Sequence, residues 1–215
     1  MIHIRRDLFD SLAVGGPSAV VAGLENALRL EFSTIPIYLY ALWSLDRAKN
    51  AAIAGIIRPI VIDEMLHMTL VCNILNALHQ TPRIDDPDFA PTYPGPLPGG
   101  VESDLTVHLR PFSMEQLQVF LKIEQPETIL NFPSHAAFIA AAAPLTIGQF
   151  YMMLGQQIGF LKDSDFANAP RNQVDANTID NAITVTNVKS AQAAIDLIVV
   201  QEEGTPNSPL EAPRF

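Results

Sequence analysis

Three residues stand where a helical protein would ordinarily place aliphatic side chains: Glu31, Glu64 and His67. Glu31 is spaced at steps of three and four from Leu24, Leu28, Ile35 and Tyr38, which puts it on the apolar face of its segment. Glu64 and His67 share a phase with Ile57, Ile60, Val61, Val71 and Ile74. An isolated ionised carboxylate in an apolar interior carries a heavy desolvation cost. Two acids and an imidazole become tolerable there when a divalent cation balances them. Carboxylate oxygens with one imidazole suit iron, manganese or zinc. Residues i and i+3 of a helix are neighbours, about 5–6 Å apart at Cβ. Glu64-Met65-Leu66-His67 can therefore offer both its ligands to one ion. Carboxylate-bridged dinuclear bundles take one Glu from each of two helices and a Glu-x-x-His pair from each of two others. Here one segment offers the Glu and the next the pair, which is half of that arrangement. The bland alternative puts Glu31 and Glu64 at helix edges, paired with Arg29 or Arg58, and makes His67 a satisfied core histidine.

The other half is less defined. Glu124 follows Leu117, Phe120 and Leu121 at helical spacing and is a further candidate ligand, against a solvated helix end. The last apolar stripe, Ala191, Ala194, Ile195, Ile198 and Val199, leads by phase to Glu202, with Glu203 one step off. Gln149 falls in phase with Leu145, Met152 and Met153, but a glutamine replaces a carboxylate poorly in charge balance. No Glu-x-x-His follows residue 67. His3, His79, His108 and His135 read as surface or structural residues. Cys72, the one cysteine, excludes an internal disulfide and reads as a packed thiol. Phosphate-binding glycine loops and nucleophile-elbow motifs are absent.

These residues need long helices to hold them. Apolar periodicity predicts core helices over about 18–45, 53–78, 146–161 and 188–203. Pro17 suits a first turn, and Pro36 falls inside a stripe that continues past it. Pro59 is a candidate for the first turn of the second helix. Residues 81–111 hold seven prolines, at 82, 87, 91, 94, 96, 98 and 111, and cannot be regular helix. This Pro-rich connection is a crossover that lets the second and third core helices run parallel. Ser113 is placed to cap a short helix ending near Glu124, and Pro126 to stop it. An alanine-rich stretch covers 136–143, a polar loop covers 163–187, and a weak strand pair lies near Thr106–Leu109. The expectation is one domain over 1–215.

The formal charge is −10, from 13 basic and 23 acidic residues, which argues against nucleic acid and anionic membranes as partners. The N-terminus reads MIHIRRDLFDSLAVGG, where Asp7 and Asp10 interrupt any signal-like apolar run. No uncharged apolar stretch of about 18 residues occurs, so neither a transmembrane helix nor a non-cytoplasmic location is expected. A small-molecule substrate and a homo-oligomer both remain compatible with these numbers.

The segments LRLEFSTIPIYLYALWSL (28–45) and IRPIVIDEMLHMTLVCNILNAL (57–78) resemble the ferritin-like domain of violacein-type iminophenyl-pyruvate dimer synthases. PFSMEQLQVFLKIEQPE (111–127), TIGQFYMMLGQQI (146–158) and IVVQEEGT (198–205) continue the resemblance in order. It implies an all-α, ferritin-like four-helix bundle with extra short helices and a carboxylate-rich centre holding one or two ions. It carries Glu31, Glu64 and His67 across directly. Similar sequences have Gln-Gly-Glu-Gly in the last helix, which sets Gln201-Glu202-Glu203-Gly204 against it and points to Glu203, in conflict with the phase argument. Two departures stand out. The family often has Glu where this chain has Gln149. It also has a Ser-His-Tyr-type stretch after the last helix, where this chain reads Leu210-Glu211-Ala212-Pro213-Arg214-Phe215. Glu211 folding back, a single-ion site and a lost site are the three consistent outcomes. Two functions follow: a metal-dependent oxidative enzyme acting on a small amine or amino-acid derivative, or a degenerate bundle serving as a structural or interaction module.

Overall fold

The computed structural model describes residues 3–101, 104–124 and 145–202. Among these, the helices are α1 (Arg6–Ala13), α2 (Pro17–Ser44), α3 (Ala51–Ala77), α4 (Met114–Ile123), α5 (Ile147–Gly159) and α6 (Val188–Glu202). Four of them, α2, α3, α5 and α6, form the bundle; α2 packs along α3, and α5 along α6.

The start of α2 is set by two local features. Gly16 takes φ 88°, a left-handed value that disfavours side chains, and Pro17 fills the first turn, where its missing N–H costs nothing. The helix then runs unbroken through Pro36 to Ser44, as the stripe predicts. In α3 the helix begins at Ala51, so Pro59 lies inside it and not in its first turn. His79, at φ 60°, ends α3 in a left-handed turn, and the Gln80 N–H donates to Leu75 O at 2.9 Å. That gives His79 a structural role.

α3 is long and apolar enough to cross a membrane by length and composition, with mean hydropathy 1.3 over its most apolar window. Its charged residues Arg58, Asp63 and Glu64 mean that it is still not an uncharged apolar stretch of the kind the sequence lacks. The window is 56% buried within the protein, as befits a core helix, and Asp63 and Glu64 sit in the helix's middle.

Helix α1, which the sequence reading treats only as an interrupted apolar run, buries Phe9 and Leu12 against the bundle. The contact is close: a Cβ on Gly23 of α2 would meet Leu12 and Leu154 side-chain atoms at 3.2 Å. Glu31 contacts Tyr151, and Gly23 approaches Leu154, so α2 and α5 run antiparallel. Since α2 and α3 form a hairpin, α3 and α5 run in the same direction, as the long crossover requires. Consistent with this, the Ala167 N–H, just beyond α5, donates to Ala77 O at the end of α3 (2.7 Å).

The crossover is docked on the bundle. Arg29 donates to the carbonyls of Asp88 (3.3 Å) and Phe89 (3.4 Å), and its guanidinium lies 5.2 Å from the Phe89 ring centroid. Tyr93 donates to Ser33 O at 2.6 Å, and burial pushes its phenol up to about 12. Leu97, Val101 and Val107 are buried. Within the crossover, β2 (Gly95–Pro96) pairs antiparallel with β3 (Thr106–Val107), which realises the weak strand pair. β1 (His3–Ile4) pairs antiparallel with β4 (Leu145–Thr146) and ties the N-terminal segment to the start of α5.

Residues 163–187, read from the sequence as a polar loop, are pinned by one buried side chain of α3. Asn73 of α3 donates to Val174 O (2.7 Å) and Ile183 O (2.9 Å) and accepts from Val174 N (3.0 Å). Gln173 bridges to Val185 in the same way, accepting from its N–H at 2.6 Å and donating to its carbonyl at 2.8 Å.

Candidate metal centre

The apolar faces of α2 and α3 that pack together carry Glu31, Glu64 and His67 into the interior. Their exposures are 2%, 7% and 2%. One ligand atom from each lies within 4.8 Å of the others. Two carboxylates and one imidazole, brought together away from water, are a donor set for a divalent cation. Glu31, Glu64 and His67 are the residues that would hold such an ion.

Each ligand is held by other side chains. Tyr151 of α5, fully buried, donates its phenol proton to Glu31 Oε1. The other Glu31 oxygen, Oε2, lies 3.6 Å from His67 Nδ1. On the far side of the ring, His67 Nε2 is 2.9 Å from Gln201 Oε1 on α6. An amide oxygen only accepts, so Nε2 carries the proton there, and in a neutral imidazole the lone pair falls on Nδ1, toward Glu31. All four bundle helices thus reach the cluster. The salt-bridge alternative does not hold among the described residues: Arg29 is engaged with the crossover, Arg58 is exposed and makes no ion pair, and Glu31 meets Tyr151 and His67. Among the described residues, Glu31 thus meets Tyr151 and His67 and no arginine or lysine.

Of the remaining sequence candidates, Glu124 and Gln149 are described, and both have other partners. Glu124 is the half-buried C-cap of α4 and accepts a hydrogen bond from Tyr38, two helical turns from Glu31 on α2. The three-residue cluster does not include it. The buried side of α4 is Gln116, Phe120 and Ile123, whereas Leu121 is exposed, so the assumed phase is shifted. Ser113 does cap that helix, accepting from Gln116 N at 3.1 Å.

Gln149 is not turned toward the centre. It completes a reciprocal cap at the start of α5, where its Oε1 accepts from Thr146 N (3.1 Å) and its N–H donates to the Thr146 hydroxyl (3.1 Å). The expectation of an inward Gln149 was wrong because the third residue of a helix can serve its own N-terminus. Glu202 lies in the last turn of α6. Glu203, Glu211, His135, Pro126 and the alanine-rich 136–143 fall outside the described residues.

Tyr151 and Gln201 were missed. Both were detectable: Tyr151 shares a phase with Ile147, Leu154 and Ile158, and Gln201 shares one with Ala194 and Ile198. A polar residue on such a stripe is the same signal that marks Glu31. Cys72 is half-buried, and burial pushes its thiol up to about 12, which suits a packed and unreactive group.

A protein-family profile described as Ferritin-like matches residues 24–214. Among solved structures, the chain is similar to a ferritin-like protein from Caulobacter vibrioides, with a TM-score of 0.65 and 26% sequence identity over 86% of this chain. The match spans 66% of that protein's length. No curated protein matches the sequence.

Proposed function

From the premise that the chain belongs to the ferritin-like family, we propose that it binds at least one divalent metal ion through Glu31, Glu64 and His67. The observation that carries this reading is the convergence of two carboxylates and an imidazole, all buried, from two core helices. Iron is the first expectation, with manganese or zinc as alternatives. When bound, iron would supply redox chemistry for oxidising a small molecule. The protein's own residues have simpler tasks. Glu31 and Glu64 would neutralise the cation. Tyr151 holds Glu31 in place, and the Gln201 contact orients the imidazole. The docked crossover covers α2 next to Glu31, with Phe89 against Phe32 and Arg29 and Tyr93 bonded to the Ser33 carbonyl.

The finer reading, supported by the resemblance of residues 28–45 and 57–78 to iminophenyl-pyruvate dimer synthases, is oxidation of a small amine or amino-acid derivative. One observation favours the competing structural module: position 149 is a glutamine without a carboxylate, and its side chain is engaged in capping α5. Elemental analysis of protein purified without chelators separates the two. Near-stoichiometric iron, manganese or zinc is expected, with anomalous scattering at the matching edge centred between Glu31, Glu64 and His67. Metal-free protein that takes up none of these ions on incubation sinks the proposal.

A further inference from the structure

A second site lies outside the metal cluster. Between the C-terminal half of α2 and the N-terminal half of α3 runs a groove of about 610 Å³, within the rough 300–1,000 Å³ of small-molecule sites. Leu39, Leu42 and Trp43 line it from α2, and Val61, Ile62 and Met65 from α3. Trp43 is 69% exposed and Ile62 47%, a large apolar area to leave in water. The groove is not uniformly apolar. Arg47 and Arg58 both line it, both are exposed, and neither has a hydrogen-bonding or ionic partner among the described residues. Among the described residues, no Asp or Glu lines it. On a chain of net charge −10, two unpaired guanidiniums beside an apolar trough form a local exception to the surrounding field. A guanidinium matches a carboxylate in a two-pronged hydrogen-bonded pair.

We propose that the groove formed by Trp43, Met65, Arg47 and Arg58 binds an amphipathic carboxylate, its chain along the α2–α3 trough and its head on the two arginines. The site stands independently of the metal reading, because neither arginine touches Glu31, Glu64 or His67.

Trp43 is the only tryptophan in the sequence, so its fluorescence reports on the groove directly. Full-length protein is titrated with dodecanoate below its micelle concentration, with dodecanol as the uncharged control. Dodecanoate is expected to blue-shift Trp43 emission saturably and to bind at least about tenfold more tightly than dodecanol, and the R47Q/R58Q double variant is expected to remove that tenfold difference. Gly55 provides a second test. A Cβ there meets nothing within 4 Å, so Gly55→Leu fits without backbone conflict and should fill the trough, abolishing the response to both ligands. The proposal is overturned by any of three results. One is an undiminished preference for dodecanoate in R47Q/R58Q. Another is an unchanged response in Gly55→Leu. The third is a Trp43 shift that follows protein concentration alone with a dimer by light scattering, which would make a second copy the occupant.

Discussion

Gln201 Oε1 lies 2.9 Å from His67 Nε2, joining α6 to the imidazole of α3 across 134 residues of sequence. Hydrogen bonds to the distal nitrogen of a metal-binding histidine fix its tautomer and ring orientation, and their loss typically costs 10–100-fold in metal affinity. Gln201→Leu is therefore expected to weaken metal binding by about 10–100-fold in a competitive chelator titration. Gln201→Glu, which keeps an acceptor, should recover most of it. Nitrogen chemical shifts of the His67 ring provide the readout a merely structural role would not move: the protonated-Nε2 signature should be lost in Gln201→Leu alone. Unchanged affinity and shifts would falsify the positioning role.

Glu64→Ala tests the cluster itself. A ligand that binds only the folded state stabilises it by RT ln(1 + [L]/Kd), about 2.7 kcal/mol at 100 Kd. The wild-type melting temperature should rise with added metal, and that of Glu64→Ala should not. In chelator-treated protein the order reverses: removing one of two close, buried carboxylates relieves repulsion, so the variant is expected to be at least as stable as wild type. Differential scanning calorimetry with and without metal checks both halves. A variant equally destabilised under both conditions would mean that Glu64 is an ordinary packing residue.

The strongest features were legible because they are periodic. Glu31, Glu64 and His67 share the 3.6-residue phase of their aliphatic neighbours, and α2 and α3 bury them as that phase requires. What was missed depends on events that a local pattern does not encode. Helix α1 was hidden by Arg5, Arg6, Asp7 and Asp10, which form exposed ion pairs around a buried Phe9 and Leu12. Gln201 follows Ala194 and Ile198 at helical spacing, but one residue of phase is about 100° of rotation, and the stripe drew attention to the acid that follows it instead. Gln149 had two polar uses open to it, a ligand's neighbour or its own helix cap, and spacing alone favoured neither. The anchoring of the loop at 163–187 was not legible because its tether, Asn73, is about a hundred residues away and lies on the apolar helix of the metal cluster.

That tether gives a stability prediction. Asn73 is 1% exposed and makes three hydrogen bonds to Val174 and Ile183. Each is worth ~0.5–1.5 kcal/mol net, and orphaned backbone groups add to the loss. Asn73→Ala is expected to lower unfolding free energy by about 3 kcal/mol in urea. Limited proteolysis should then cut within residues 165–187 well before the helices. A loss under about 1 kcal/mol with unchanged cleavage would show that the loop is held by its apolar anchors, Phe166 and Val185, and not by this side chain.

Cys72 yields a pH dependence whose sign follows from burial. Its thiol is pushed up to about 12 in the folded protein, against an ordinary value near 8.5 when unfolded. The folded state therefore holds a proton that the unfolded state releases, and stability from this group is complete below about pH 8.5 and declines as pH rises toward 12. The slope approaches ~1.4 kcal/mol per pH unit in that window. Urea unfolding at pH 8 and pH 10 should reveal a steeper loss for wild type than for Cys72→Ala, even though the variant starts lower because of the vacated volume. Native protein at pH 8 should also resist iodoacetamide and react promptly once unfolded. Parallel slopes for the two proteins, or fast alkylation of the native thiol, would contradict the burial that sets this pKa.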